Sequence, residues 1–315
     1  MKEIGGYFEF ERLTGREYYP ELLALNTARN ALLYVLKARQ ISKLYIPYFL
    51  CDSVAKMCAR NGFEYEYYRI DGDFLPVFEK SLGEHEYLYI VNFYGQVSDE
   101  AVRLLQRKYR NIILDNVQDF FRKPLAGVDT IYSCRKFFGV PDGAYLSCGV
   151  SLAEEIPVDK SGERMRHLVG RLEGNASDYY GDFKSNDGSF GQLELMWMSA
   201  LTHNILGAID YNKVRNTRNS NFTRLAEAFD RHNQLALVPP DGPYCYPLCC
   251  NNGMEIKKRL AAEKIYIPTL WPNVLEMEGT LEQKLARNIL PLPCDQRYGQ
   301  ADMERMIVEV MKCID

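Results

Sequence analysis

Long apolar runs are missing from this chain: none reaches the length that crosses a bilayer, so no transmembrane helix is expected. Histidine is scarce, with only His85, His167, His203 and His232, and no HExxH pattern occurs. A histidine-built metal site is therefore not expected. The nine cysteines, an odd number scattered from Cys51 to Cys313, contain no CxxC pair. Cys245, Cys249 and Cys250 cluster without a histidine nearby, which argues against zinc. Positive charge is nowhere concentrated and the net charge is −4, so nucleic acid is not expected as a main partner. The acidic, aromatic start (Glu3, Tyr7, Phe8, Glu9, Phe10) does not read as a signal peptide. Reduced, mostly buried thiols and a cytoplasmic location are the simplest expectation. The sequence contains no internal repeat and no low-complexity tract.

What remains is the composition of an ordinary globular protein. Hydrophobic residues make up 47% and charged residues 25% of 315, enough for a large core and two domains. Tyrosine is common at 22 residues, which fits a core with polar pockets better than a disordered chain.

An irregular lead-in with Tyr18, Tyr19 and Pro20 precedes a helical pattern from Leu25 to Arg39, with Asn26 or Thr27 as the N-cap. A helix start of this kind seats an anion well, because its free amides and dipole favour negative charge. An ordinary capped helix is the plainer reading. Leu44–Tyr48 reads as a strand, Cys51–Asn61 as a helix closed by Gly62, and Tyr65–Ile70 as a second strand. Tyr87–Phe93 is almost wholly apolar or aromatic, the pattern of a strand buried on both faces. A turn at Tyr94-Gly95-Gln96, a helix over Ser98–Tyr109 and a strand from Ile112 to Leu114 ending on Asp115 come next. Strands alternating with helices imply a mostly parallel sheet, with ligands at the carboxyl ends of its strands. Asn92, Asp115, Gln118 and Lys136 all fall at that edge.

Thr130–Tyr132 and Ala144–Cys148 flank the segment SCRKFFGVPDG. A lysine between strands, under aromatic cover and beside a Gly-rich turn, is placed for desolvation, which lowers its pKa and makes the amine a nucleophile. A solvated Arg-Lys pair at a strand end is the competing reading. Residues 149–195 are rich in Asp, Gly, Ser and Asn and read as a long excursion over the surface or into a partner subunit. Leu193–Ile209 reads as a buried helix, and Phe222, Leu225, Ala226 and Phe229 mark another. Eight of the 14 prolines lie between Pro239 and Pro293, where short β-like pieces (Cys245–Leu248, Ile265–Pro268) alternate with helices. The last helix carries Met303, Met306, Ile307, Val310 and Met311. The expected architecture is α/β: a large domain over 1–210 with a mostly parallel sheet flanked by helices, and a smaller α+β domain over 211–315.

Four stretches supply complementary parts of one cofactor site. Pyridoxal phosphate needs an amine for its aldehyde, a carboxylate for its pyridine nitrogen, amides and hydroxyls for its phosphate, and a flat side chain over its ring. Lys136, Asp115, the Thr27 helix start with Ser133, and the Tyr48/Phe49/Cys51 turn fill those roles in turn.

These residues resemble the DegT/DnrJ/StrS-type sugar aminotransferases, pyridoxal-phosphate enzymes of fold type I, over most of the chain. NTARNAL, with Thr27 and Ala28, is similar to the phosphate-binding segment that opens that family's first large helix. ILDNVQDF resembles its Asp-x-x-Gln motif, which implies Asp115 at the pyridine nitrogen and Gln118 near the ring hydroxyl. VNFYGQ resembles a segment that usually reads His-x-x-Gly, with Asn92 in place of the histidine. SCRKFFGVPDGAYL resembles the lysine segment, with Lys136 as the cofactor-bearing residue and Asp142-Gly143-Ala144 where the family often has Glu-Gly-Gly. ILPLPCDQRYGQADM is similar to its closing motif. Two departures stand out: Ser133 lies only three residues before Lys136, and the Gly-Tyr-Asn-Tyr-Arg motif that reaches a neighbouring subunit is not visible.

The resemblance implies an aminotransferase, taking its amino group from glutamate and aminating a keto group of a nucleotide-linked sugar. Lys136 would serve as the acid–base. It also implies a homodimer with shared active sites, for which Lys184, Asn186 and Ser189 are candidate donors. A sugar dehydratase of the same lineage replaces the lysine with histidine, so Lys136 counts against it. A cofactor-binding regulator on a retained scaffold is the non-enzymatic alternative.

Overall fold

The computed structural model describes residues 4–314. The lead-in ends in β1 (Leu23–Leu25), and α1 (Ala28–Ala38) begins where the Thr27 hydroxyl accepts the Asn30 amide at 3.0 Å. Then come β2 (Lys43–Pro47), α2 (Ser53–Arg60), β3 (Glu64–Ile70), the two-residue β4 (Pro76–Val77) and β5 (Glu86–Val91). A single 3-10 turn, Phe93–Gly95, leads to α3 (Asp99–Tyr109), whose first turn is capped by Ser98 and carries Asp99 and Glu100 against the helix dipole. β6 (Ile112–Asp115), β7 (Asp129–Ser133) and β8 (Ala144–Ser147) complete the sheet.

Among the described residues these eight strands form one sheet in the order β1-β8-β7-β6-β5-β2-β3-β4. The central run from β7 to β3 is parallel, as helical crossovers require, and β8, β1 and β4 supply antiparallel edges. β6 and β7 are buried along their whole length, which fits the apolar run Ile112–Leu114 of β6.

The second half holds α4 (Arg166–Glu173), α5 (Tyr180–Ser189), α6 (Ala200–Gly207) and the long α7 (Tyr211–Phe229). β9 (Cys245–Cys249), α8 (Gly253–Ala262), α9 (Leu281–Asn288), β10 (Ile289–Pro293) and α10 (Gln300–Ile314) follow. β9 and β10 pair antiparallel, and their inner residues Tyr246, Leu248, Leu290 and Leu292 meet Phe222, Leu225, Phe229, Met303, Met306 and Val310 in a core of their own. Each such buried side chain contributes about 1.5–3 kcal/mol of transfer free energy.

Three expectations need correction. The polar stretch expected to be irregular contains α4 and α5, held together by the Arg166–Asp182 ion pair at 3.3 Å and by His167 against Phe183. The segment 193–199 is extended rather than helical: Met196 and Met198 bond the backbone of Asn26 and Ala24, and the helix starts only after the Ser199 cap. Ile265–Pro268 forms no strand, because β9 takes β10 as its partner.

Candidate active site

Strand direction decides which residues can meet. β2, β5, β6 and β7 lie side by side and run parallel, so the residues following each emerge at one edge. β1 is antiparallel to β8, which is antiparallel to β7; two reversals restore the direction and bring the start of α1 to the same edge. The edge therefore collects Tyr48–Cys51, Asn92–Gln96, Asp115–Gln118, Ser133–Lys136 and Thr27–Arg29. The Gly143 amide donates to the Asn26 carbonyl at 2.6 Å, tying the turn after Lys136 to the head of α1.

Asp115 is buried at the end of β6. One carboxylate oxygen accepts the Tyr89 phenol at 2.6 Å and the other the Val117 amide at 2.9 Å. Burial raises its pKa, while the Tyr89 bond, the Lys136 charge and the Val117 amide pull it back. Cys51 is exposed, with its Sγ 2.8 Å from the Ser53 hydroxyl, and lies near enough to Tyr89 to add to that phenol's raised pKa. Lys136 closes a 3-10 turn, Cys134–Lys136, directly after Ser133 ends β7. Its ammonium stands 5.7 Å from the centre of the Tyr244 ring.

The aromatic cover expected from the two neighbouring phenylalanines is not there; Tyr244 is the ring beside the amine. Phe137 and Phe138 turn inward against Phe120, and Lys136 itself is exposed in the single chain. The turn presents the amine and buries its neighbours.

Thr27 is buried and caps α1, and Ala28 opens the helix. The amides of Ala28 and Arg29 find no acceptor among the described residues. Gln118 is buried, and its Oε1 accepts the Tyr94 amide at 2.7 Å. That bond steadies Tyr94 in the left-handed region (φ 56°), which a bulky residue seldom occupies.

Two expected cofactor contacts lie at this edge with their side chains engaged elsewhere. Asn92 is fully buried; its amide donates to Asn116 and Asp119 and accepts from Val97, so the side chain is spent on fastening β5 to the loop after β6. Phe49 has no exposed surface and packs on Trp271 at 4.4 Å and Phe93 at 5.3 Å. It supports the edge from beneath.

Sequence reasoning missed the residues that reach this edge from far along the chain. Gln296 donates to the Phe137 carbonyl at 2.6 Å, and Arg218, fully buried on α7, donates to the same carbonyl at 3.2 Å. Tyr89 was hidden within an apolar run, where nothing local distinguishes it from its neighbours.

Neither protein-family models nor curated protein sequences give a match to this chain. Solved structures do. A DegT DnrJ EryC1 StrS aminotransferase from Brucella abortus superposes with a TM-score of 0.61 at 17% identity, covering 93% of this chain and 86% of that one. The sugar aminotransferase CalS13 from Micromonospora echinospora gives 0.59 at 14% identity, covering 93% and 87%. NtdA from Bacillus subtilis, solved with bound cofactor PMP, gives 0.63 at 14% identity, covering 93% and 73%. The chain thus has the aminotransferase fold, with its large mostly parallel sheet and smaller α+β part.

Proposed function

We propose that this chain is a pyridoxal-phosphate-dependent aminotransferase that takes an amino group from glutamate and places it on a keto group of a nucleotide-linked sugar. The observation that carries the reading is the pairing of a buried carboxylate, Asp115, with the amine of Lys136 at adjacent strand ends, on the fold of sugar aminotransferases.

The residues fit the cofactor. Asp115 suits a protonated pyridine nitrogen, and Lys136 suits an aldehyde. The first-turn amides at Ala28 and Arg29, with Thr27 and Ser133 nearby, suit a phosphate. When bound, the cofactor supplies the electron sink that stabilises negative charge at the substrate carbon. Lys136 Nζ would hold the cofactor covalently and, once released, carry a proton to and from that carbon. Asp115 would keep the ring nitrogen charged, its two carboxylate oxygens held by Tyr89 and the Val117 amide. Gln296 and Arg218 would hold the Lys136 turn through the Phe137 carbonyl.

We assign residues 1–210 to the cofactor-binding part and 211–315 to the part that covers it. The reading includes a homodimer, supported by exposed apolar side chains along the lead-in (Tyr7 98%, Phe8 97%) and at Leu172 (87%). Nine free cysteines support a reducing, cytoplasmic setting. No described helix is long and apolar enough to cross a membrane.

The test is an absorption spectrum of the purified protein with pyridoxal phosphate, before and after glutamate. A visible band that glutamate converts to the pyridoxamine form supports an enzyme. A band that glutamate leaves untouched would turn the reading toward a cofactor-binding regulator.

A further inference from the structure

Next to Lys136, three arginines converge with too few carboxylates to balance them. Arg135 lies flat on the Phe190 ring, its guanidinium carbon 3.7 Å from the centroid, and the Arg164 guanidinium is 5.9 Å from the same ring. Arg29 sits in the first turn of α1, close enough to Arg135 that its charge registers there. Burial lowers the Arg135 pKa, and the charges of Arg29 and Arg164 push the same way. Arg164 pairs with Asp159 at 2.6 Å, and that same carboxylate oxygen takes the Asn26 amide at 3.2 Å, which anchors the group to the head of α1. Arg135 has only the largely exposed Asp187 at 3.5 Å, and Arg29 has no carboxylate partner among the described residues.

The unpaired donors are buried. Nε and one terminal nitrogen of Arg29, and Nε of Arg164, are shut off from solvent without an acceptor. Buried guanidinium N–H groups left unpaired oppose folding, and native proteins normally satisfy them. Nothing in the fold needs Arg29 to be charged, since its side chain makes no hydrogen bond among the described residues. A ligand bearing at least two negative charges and several acceptor oxygens would answer all three guanidinium groups at once, in the fork geometry that phosphate oxygens match.

We propose that Arg29, Arg135 and Arg164 form a binding site for a phosphoryl dianion, completed by the free amides of Ala28 and Arg29. The site rests on the aminotransferase reading for the two sources of that group: the cofactor's own phosphate, or the diphosphate of a nucleotide-linked acceptor. Arginines in this role would offset the short spacing between Ser133 and Lys136 and the lack of a recognisable partner-chain motif.

The full-length protein is tested as wild type, Arg29→Gln and Arg135→Gln, with circular dichroism to confirm folding. Absorbance titrations give affinities for pyridoxal phosphate and for pyridoxal, which lacks the phosphate. Calorimetry gives affinities for inorganic phosphate and UDP. If the cofactor is the source, Arg29→Gln weakens pyridoxal phosphate at least tenfold and leaves pyridoxal unchanged. If the substrate is the source, pyridoxal phosphate is unchanged and UDP weakens at least tenfold. Affinities within twofold of wild type for all four ligands in both variants overturn the site. Should Arg29→Gln fail to fold, Arg135→Gln decides by the same criteria. The two readings separate cleanly. Phosphate binding that needs Arg29 in a protein taking up no pyridoxal phosphate keeps the site and sinks the aminotransferase. Cofactor attached to Lys136 with every affinity indifferent to the arginines does the reverse.

Discussion

The phenol of Tyr89 on β5 donates to the Asp115 carboxylate on β6 across a 2.6 Å hydrogen bond, one strand to the next. Burial raises the Asp115 pKa, and this bond is the largest influence holding it down. Tyr89→Phe removes the donor without opening a cavity. The Asp115 pKa should then rise further, because the donor that favours the charged carboxylate is gone. In its proposed role Asp115 must be ionised to serve a positive ring, so the acid limb of kcat should move to higher pH. A pH–rate profile checks this; an unmoved limb would remove Tyr89 from the tuning.

Asp119 offers a stability test. It is buried, and burial pushes its pKa up to about 7 against the pull of Arg122 and Asn92. The native state then holds this proton more tightly than the unfolded chain, where the value is about 3.9. Its stabilising contribution is complete below about pH 4 and lost as pH rises through about 7, a change of up to about 4 kcal/mol. Asp119→Asn keeps the shape and removes the titration. The variant should melt higher than wild type at pH 8 and alike at pH 4. A lower Tm at pH 8 would show that the charged pair with Arg122 outweighs burial.

Gln296 should act as a positioning residue. It bonds both the Phe137 carbonyl (2.6 Å) and the Arg218 guanidinium (2.8 Å), so it links the C-terminal part to the lysine turn. Gln296→Ala leaves that carbonyl with one donor fewer and should cost about 1–2 kcal/mol of stability. A loosened Lys136 turn should lower kcat about tenfold with KM nearly constant, since misplacing the acid–base affects chemistry rather than binding. A lower Tm with unchanged kcat would reduce Gln296 to a structural tie.

The exposed apolar side chains of the lead-in and α4 support the homodimer proposed above. Sedimentation at micromolar concentration should show a homodimer with and without cofactor. A monomer that turns over substrate would defeat the shared-site arrangement.

Much of this was legible where local pattern and tertiary need agree. Leu88–Val91 of β5 and Ile112–Leu114 of β6 are buried and read as apolar runs, α1 carries its cap at Thr27, and Asp115 and Gln118 stand out by their place at and just past a strand end. The illegible parts are those decided at a distance. β1 is three residues long and exists because β8 needs an edge partner. The segment around Trp197 has a helix's texture but is held extended by the backbone near Ala24 and Val158. Phe49 looked like a ring-stacking residue until Trp271, far along the chain, covered it. The arginine group joins residues 29, 135 and 164, which no sequence window contains.

In the proposed function Lys136 is the residue that bears the cofactor. Borohydride reduction of the protein loaded with pyridoxal phosphate, followed by peptide mapping, measures this directly. Label is expected on the peptide containing SCRKFFGVPDG, at Lys136, with both label and visible absorption lost in Lys136→Ala and turnover down about a thousandfold or more. Label on another lysine, or an unaltered spectrum in the variant, would contradict it.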